Sequence, residues 1–211
     1  MTGEIVGTIQ PVELPETATI IGDHWPQQDE NAYAREADNQ RMAAGQAQSA
    51  ASVTKNASSY TEPAFRGDSG TALTQRLEDH HVVFSDDQAR HENIAGWLSL
   101  ASQNIDRTKT AMNAASIDYH KLYEDYVRRA VEHTWPQSRL AQAKTMLLER
   151  ARSQVVAAFS SFEEFHLRIS AGIAAGTVPN LSLPEPPNGR DALVVRLDQL
   201  SAIDKALVSG E

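Results

Sequence analysis

A histidine followed by glutamate opens one familiar zinc-hydrolase pattern, in which a second histidine four residues on completes a ligand pair on one helix face. His91-Glu92 has that opening, but the fourth residue on is Ala95, so the second ligand is missing. His80 and His81 are adjacent, and adjacent helical residues point in different directions, so they cannot chelate as a pair one turn apart. His120 and Glu124 do have helical i, i+4 spacing, which supports a weak surface contact. Glu163, Glu164 and His166 could be drawn together for acid–base or metal chemistry. Phe162 and Phe165 already hold the apolar stripe there, so the two acids are expected to face water. No serine stands in a Gly-x-Ser-x-Gly elbow. The Gly67-Asp68-Ser69-Gly70 run lacks the lysine and spacing of a phosphate loop and reads as a helix cap. No catalytic, cofactor or metal constellation is therefore expected, and the chain is read as non-enzymatic.

Composition narrows the classes further. The chain has 211 residues, 41% of them hydrophobic and only 6% aromatic, with a net charge of −9. An acidic chain repels phosphate, and the densest basic cluster, Arg128-Arg129, is flanked by Glu124, Asp125 and Glu132, so no nucleic-acid partner is expected. There are no cysteines, which excludes a disulfide framework, a thiolate metal site and a cysteine nucleophile. No segment approaches the ~20 apolar residues of a membrane span. Met1-Thr2-Gly3-Glu4 has no basic region followed by an apolar stretch, so no cleavable signal peptide is expected.

The elements that would position any site are helices. Residues 1–28 hold Pro11, Pro15 and Pro26 among β-branched residues and read as an extended arm, with room for a short strand or turn. The arm's isoleucines and valines need cover, so it should lie along the helices. A first, alanine-rich helix is expected from Asp29 to about Ser59. Pro63, Gly67 and a capping Asp68 or Ser69 mark a tight connection. A second helix then runs to Trp135. Along it Ile94, Leu98, Ala101, Ile105, Thr108, Met112, Ala115, Tyr119, Leu122 and Tyr126 recur at alternating steps of four and three, the spacing of a coiled-coil seam. Extended backwards, the register meets His91, Asp87, Phe84, His80, Leu77, Leu73 and Gly70. Its weak points, Asp87 and His91, are where a kink or break is expected. Such a helix of about 65 residues would be ~100 Å long, so the molecule should be rod-like.

A third helix is expected from about Gln137 to Ala171, with Leu140, Ala143, Leu147, Ala151, Val155, Ala158, Phe162, Phe165 and Ile169 on its seam. Gly172, Gly176 and Pro179 would end it. Residues 177–189 form a Pro-rich linker. Residues 190–211, with Leu193, Leu197, Leu200, Ile203 and Leu207, read as a short amphipathic helix. The expected fold is thus all-α: an elongated antiparallel hairpin or bundle with one very long helix. Its segments are the arm at 1–28, a hairpin plus third helix at 29–176, the linker and the tail helix. Trp25 and Trp135 each precede a proline at a helix boundary and are expected to cover bundle ends, with partner contact as the alternative reading.

An alanine-rich helix, an aromatic-x-Gly turn and a longer second helix together resemble the WxG-type substrates of type VII secretion. The turn here is Phe65-Arg66-Gly67, followed by Asp68-Ser69-Gly70-Thr71-Ala72-Leu73, with phenylalanine where the family usually has tryptophan. The resemblance covers about residues 30–125. The third helix and Pro-rich tail look more like the extended PPE-type and Esp-type members, or the N-terminal helical domains of actinobacterial toxins. It implies a ring that plugs the end of the two-helix groove and a glycine that permits the turn. It also implies export without a cleaved signal peptide, to the cell envelope or beyond. The family's export signal, a tyrosine with an acid four residues on, has no match at Tyr33, Tyr60, Tyr119, Tyr123 or Tyr126. Either a partner supplies it, the chain is a divergent member, or it is not exported by this route.

The function expected from this reading is helix–helix binding to a helical protein partner or to a second copy, with a secretion chaperone as a candidate partner. Phe65, Gly67, Trp97, Leu98, Ile105, Met112 and Tyr119 are the residues expected to shape the turn or meet the partner. No cofactor is implied. The competing readings are a cytoplasmic coiled-coil adaptor and a membrane-active helical protein, the latter motivated by the 190–208 segment and disfavoured by the acidic charge.

Overall fold

The computed structural model describes residues 8–184. They form four helices: α1 (Thr17–Ile21), α2 (Glu30–Ala64), α3 (Asp68–Glu132) and α4 (Gln137–Ala175). No strand occurs among the described residues. The all-α class and the single very long helix are as expected, α3 having 65 residues. The amphipathic segment at 190–211 and the end of the Pro-rich linker lie outside the described residues.

Local chemistry explains the helix ends. Asp29 is extended and its side chain accepts from the Asn31 amide at 2.9 Å, satisfying one of the amides that a helix start leaves without a partner. α2 runs five residues past Ser59 because Pro63 falls in the last turn, where a missing N–H forfeits a single helical bond. α3 ends with Thr134 at φ 51, the Trp135 amide donating to Ala130 and the Thr134 amide to Val131. This is the Schellman arrangement, here without a glycine. α4 ends the same way at Gly176, with Thr177 donating to Gly172. Gly172, expected to help end the helix, lies inside it.

The expected break at Asp87 and His91 does not occur, since α3 continues through both. The polar side chains along this stretch find polar partners. His91 Nδ1 meets Gln40 Oε1 of α2 at 2.6 Å, His81 Nδ1 meets the Ala51 carbonyl at 3.0 Å, and Asp87 pairs with Arg90 at 3.3 Å. The back-extended register is also corrected. His81, not His80, turns toward α2, and Leu73 and His80 are exposed.

Contacts divide the chain into two compact units that do not follow chain order, because α3 and α4 each contribute to both. The first comprises, among the described residues, Thr8, 28–105 and 164–183. On α2, Ala37, Ala44, Ala51 and Ser58 are buried at every seventh position, and their small side chains let α3 approach closely. Trp97 and Ala101 of α3 pack with Phe165 and Ile169 of α4, with Tyr33, Leu181 and Leu183 against them. Trp97 Nε1 donates to the Thr177 carbonyl at 2.7 Å, and its ring lies on Gly172.

The second unit comprises 9–27, 106–163 and Pro184 among the described residues. Here the arm is not wholly extended. It forms the five-residue α1, which places Ile20 and Ile21 beside Trp25 in a core with Met112, Ala115, Tyr119, Ala151, Val155 and Ala158. Burying each isoleucine contributes roughly 1.5–3 kcal/mol, which offsets part of the entropy cost of ordering the strap. Asn113 accepts from the Val12 amide and donates to the Gln10 carbonyl, His120 donates to Pro15, and Glu16 pairs with Lys144.

The Trp97–Gly172 contact yields a paired expectation. A Cβ at Gly172 would lie 2.3 Å from Trp97 Cζ2, whereas one at Gly45 would meet nothing within 4 Å. Gly172→Ala should destabilise by about 1 kcal/mol or more, since overpacking costs about 1–3 kcal/mol against a helix-propensity gain of at most ~1. Gly45→Ala should stabilise by about 0.5–1 kcal/mol. Urea unfolding followed by circular dichroism checks both, and equal effects would contradict the packing account.

Candidate interaction surface

Most of the residues expected to meet a partner are already covered by this chain. In the first unit Trp97 and Ile105 are buried and Leu98 is half-buried; in the second, Met112 and Tyr119 are buried. The seam of α3 is thus spent on internal packing, which corrects its reading as an open docking stripe. Trp135 is half-buried, with Tyr126 edge-on at 6.0 Å and the Arg139 guanidinium 4.0 Å above its ring.

The turn between α2 and α3 is built differently from what the family resemblance implies. Phe65 is 62% exposed, so its ring plugs nothing. The reason is backbone geometry. Phe65 is the extended residue after α2, Gly67 takes φ 94, and the Thr71 amide donates to the Gly67 carbonyl to start α3. Gly67 is needed because that φ is left-handed. Gly70 is needed for space: a Cβ there would lie 2.2 Å from the Phe65 carbonyl oxygen. Gly70 was legible only as part of a cap, since nothing in the sequence gives the approach of the Phe65 backbone.

Away from the turn, the first unit's α4 stops short. Its end meets α3 at Asn93, which donates to the Gly176 carbonyl, and at Gly96, which lies against Pro179. From Thr71 to Ile94, α3 has no buried residue. Over the same reach α2 buries only Ala44, Ala51 and Ser58. The α2–α3 tip is therefore a two-helix projection, and its apolar side chains Val53, Tyr60, Phe65, Leu73, Val82 and Val83 are exposed. These side chains lie on several faces of the two helices, and each is an apolar group left in water.

The polar groups weighed for chemistry are dispersed. Glu163 and Glu164 are exposed, while His166 is half-buried with its Nε2 3.3 Å from the Tyr33 hydroxyl. His120 is taken by the arm rather than by Glu124. In the second unit a cleft of about 10 Å³ lies among Tyr119, Leu122, Leu147, Arg150 and Gln154, room for about one water. Burial, with Glu16 nearby, holds the Tyr119 hydroxyl above its ordinary pKa. The hydrogen bond that the Lys144 ammonium donates to the Glu16 carboxylate raises the pKa of Lys144. Among the described residues no three His, Asp or Glu side chains are grouped as a metal site requires, and no described helix is long and apolar enough to cross a membrane. No family model matches the chain, and no curated protein or solved structure matches it.

Burial lowers the pKa of His166. The native state therefore favours neutral imidazole, while the unfolded chain takes up a proton below about 6.5. The resulting stability is present above that pH and is lost as pH falls through it. The thermal midpoint should drop between about pH 7.5 and 5.5, and His166→Gln should flatten that slope. An unchanged slope in the variant would remove His166 as its source.

Proposed function

We propose that this chain is a non-enzymatic, type VII secretion-associated helical protein, or the helical export domain of a larger toxin-like protein, acting through helix–helix binding to a partner or to itself. The observation that carries the reading is the α2–α3 hairpin, joined at Phe65-Arg66-Gly67 and ending in an exposed apolar tip. The exposure of Phe65 supports a contact role for the ring, because an apolar ring left in water gains most when a partner covers it. The internal use of the α3 seam supports a partner contact at the tip.

Two measurements test this reading. Culture filtrate from a host carrying such a system should contain the protein, and deletion of the secretion ATPase should remove it; equal amounts in both strains would sink the export reading. Phe65→Asp should reduce export while changing stability by no more than about 0.5 kcal/mol, as expected of a surface position.

A further inference from the structure

We infer that the α3 side of the hairpin tip docks a second copy of this chain, antiparallel, about a twofold axis passing between His81 and Val82. This deepens the proposed function by naming the occupant of the tip, and it rests on that reading only for biological purpose. Leu73, Arg76, His80, Val83, Asp87 and Arg90 recur at steps of three and four and so share one face of α3. Leu73, Arg76, His80, Val83 and Arg90 are exposed on it, and Asp87 is half-buried.

The order of types along this stripe is self-complementary. Arg76 with Asp87, His80 with Val83, and Leu73 with Arg90 are all centred on the same point between His81 and Val82. A twofold contact places each residue of a pair against the other's position in the second copy. Antiparallel docking then sets Arg76 of each copy against Asp87 of the other, twice, with His80 and Val83 at the middle. His80 lies beside the half-buried Phe84 with ring centroids 6.2 Å apart, so two rings stand near the centre. The aliphatic stem of Arg90 can cover Leu73. Parallel docking in the same register would set Arg76 against Arg76 and Asp87 against Asp87, so charge selects the antiparallel arrangement.

Arg76 has no ion pair among the described residues, while Asp87 holds only Arg90, one turn away on its own helix. A heterologous helical partner would need no such symmetry in this chain's own stripe. The reciprocity is what favours a second copy.

Size-exclusion chromatography with light scattering on the full chain tests the proposal. Wild type should move with concentration from the 23.1 kDa chain mass toward twice that mass. Arg76→Glu and Asp87→Arg should each hold the chain at monomer mass, and the Arg76→Glu/Asp87→Arg double variant should restore the dimer. Circular dichroism of each variant checks that α3 remains folded. A wild type that stays monomeric, a dimer indifferent to either single reversal, a reversal that lowers helicity, or a double variant that remains monomeric overturns the docking. A monomer whose export still needs the ATPase removes the self-docking and keeps the export reading. A dimer found equally in both filtrates does the reverse.

Discussion

The constraint on which this structure depends is that a 65-residue helix carries an apolar stripe longer than any one neighbour covers. An amphipathic helix with a bare stripe is marginal in water, so successive parts of α3 need successive partners. In one unit α2 covers α3 through alanines, and α4 adds Phe165 and Ile169 beside Trp97. In the other unit α4 supplies Ala151, Val155 and Ala158, and the N-terminal strap supplies Ile20, Ile21 and Trp25. The strap matters because a pair of helices alone leaves one side of its seam in water.

The same constraint sets the choice of residue size. Ala37, Ala44 and Ala51 bury little area each, so α2 gains stability from close approach and from polar cross-links. Arg41 reaches Ser99 at 2.6 Å, Ser102 donates to the Glu30 carbonyl at 2.9 Å, and His91 meets Gln40. Each net contribution is about 1 kcal/mol. Such bonds also fix register, which an alanine face specifies weakly because neighbouring alanines are interchangeable. Where a large side chain does enter, a small one must yield, as Gly172 does to Trp97.

The stripe itself was legible in the sequence. Ala101, Ile105, Met112, Ala115, Tyr119 and Tyr126 are buried, as the four-three spacing requires, and so are Ala143, Ala151, Val155, Ala158, Phe162, Phe165 and Ile169. Periodicity reports which face is covered and is silent about what covers it. A seam met by the chain's own helices and one met by a partner have the same pattern, which is why Met112 and Tyr119 read as docking residues. The register failed at its polar end for a related reason. Between Leu73 and His91 apolar content no longer decides the inward face, and the bond of His81 to the Ala51 carbonyl does. The short helix α1 was hidden because five residues are too few for a helical period to show against the prolines around it.

At the tip, affinity and orientation have different sources. An exposed ion pair contributes ~0.2–1 kcal/mol, so charge at Arg76 and Asp87 cannot hold two molecules together against an association cost of about 4 kcal/mol or more. In the proposed docking most of the affinity would come from covering Leu73, Val83 and His80, which are exposed, with the half-buried Phe84 beside them. In-register parallel docking would set Leu73 on Leu73 and Val83 on Val83, so apolar burial does not favour the antiparallel arrangement and charge must select it. Charge is directional, and it separates antiparallel from parallel docking by replacing two attractions with like-charge contacts. A tip so composed would give the proposed self-docking a low affinity and a single geometry.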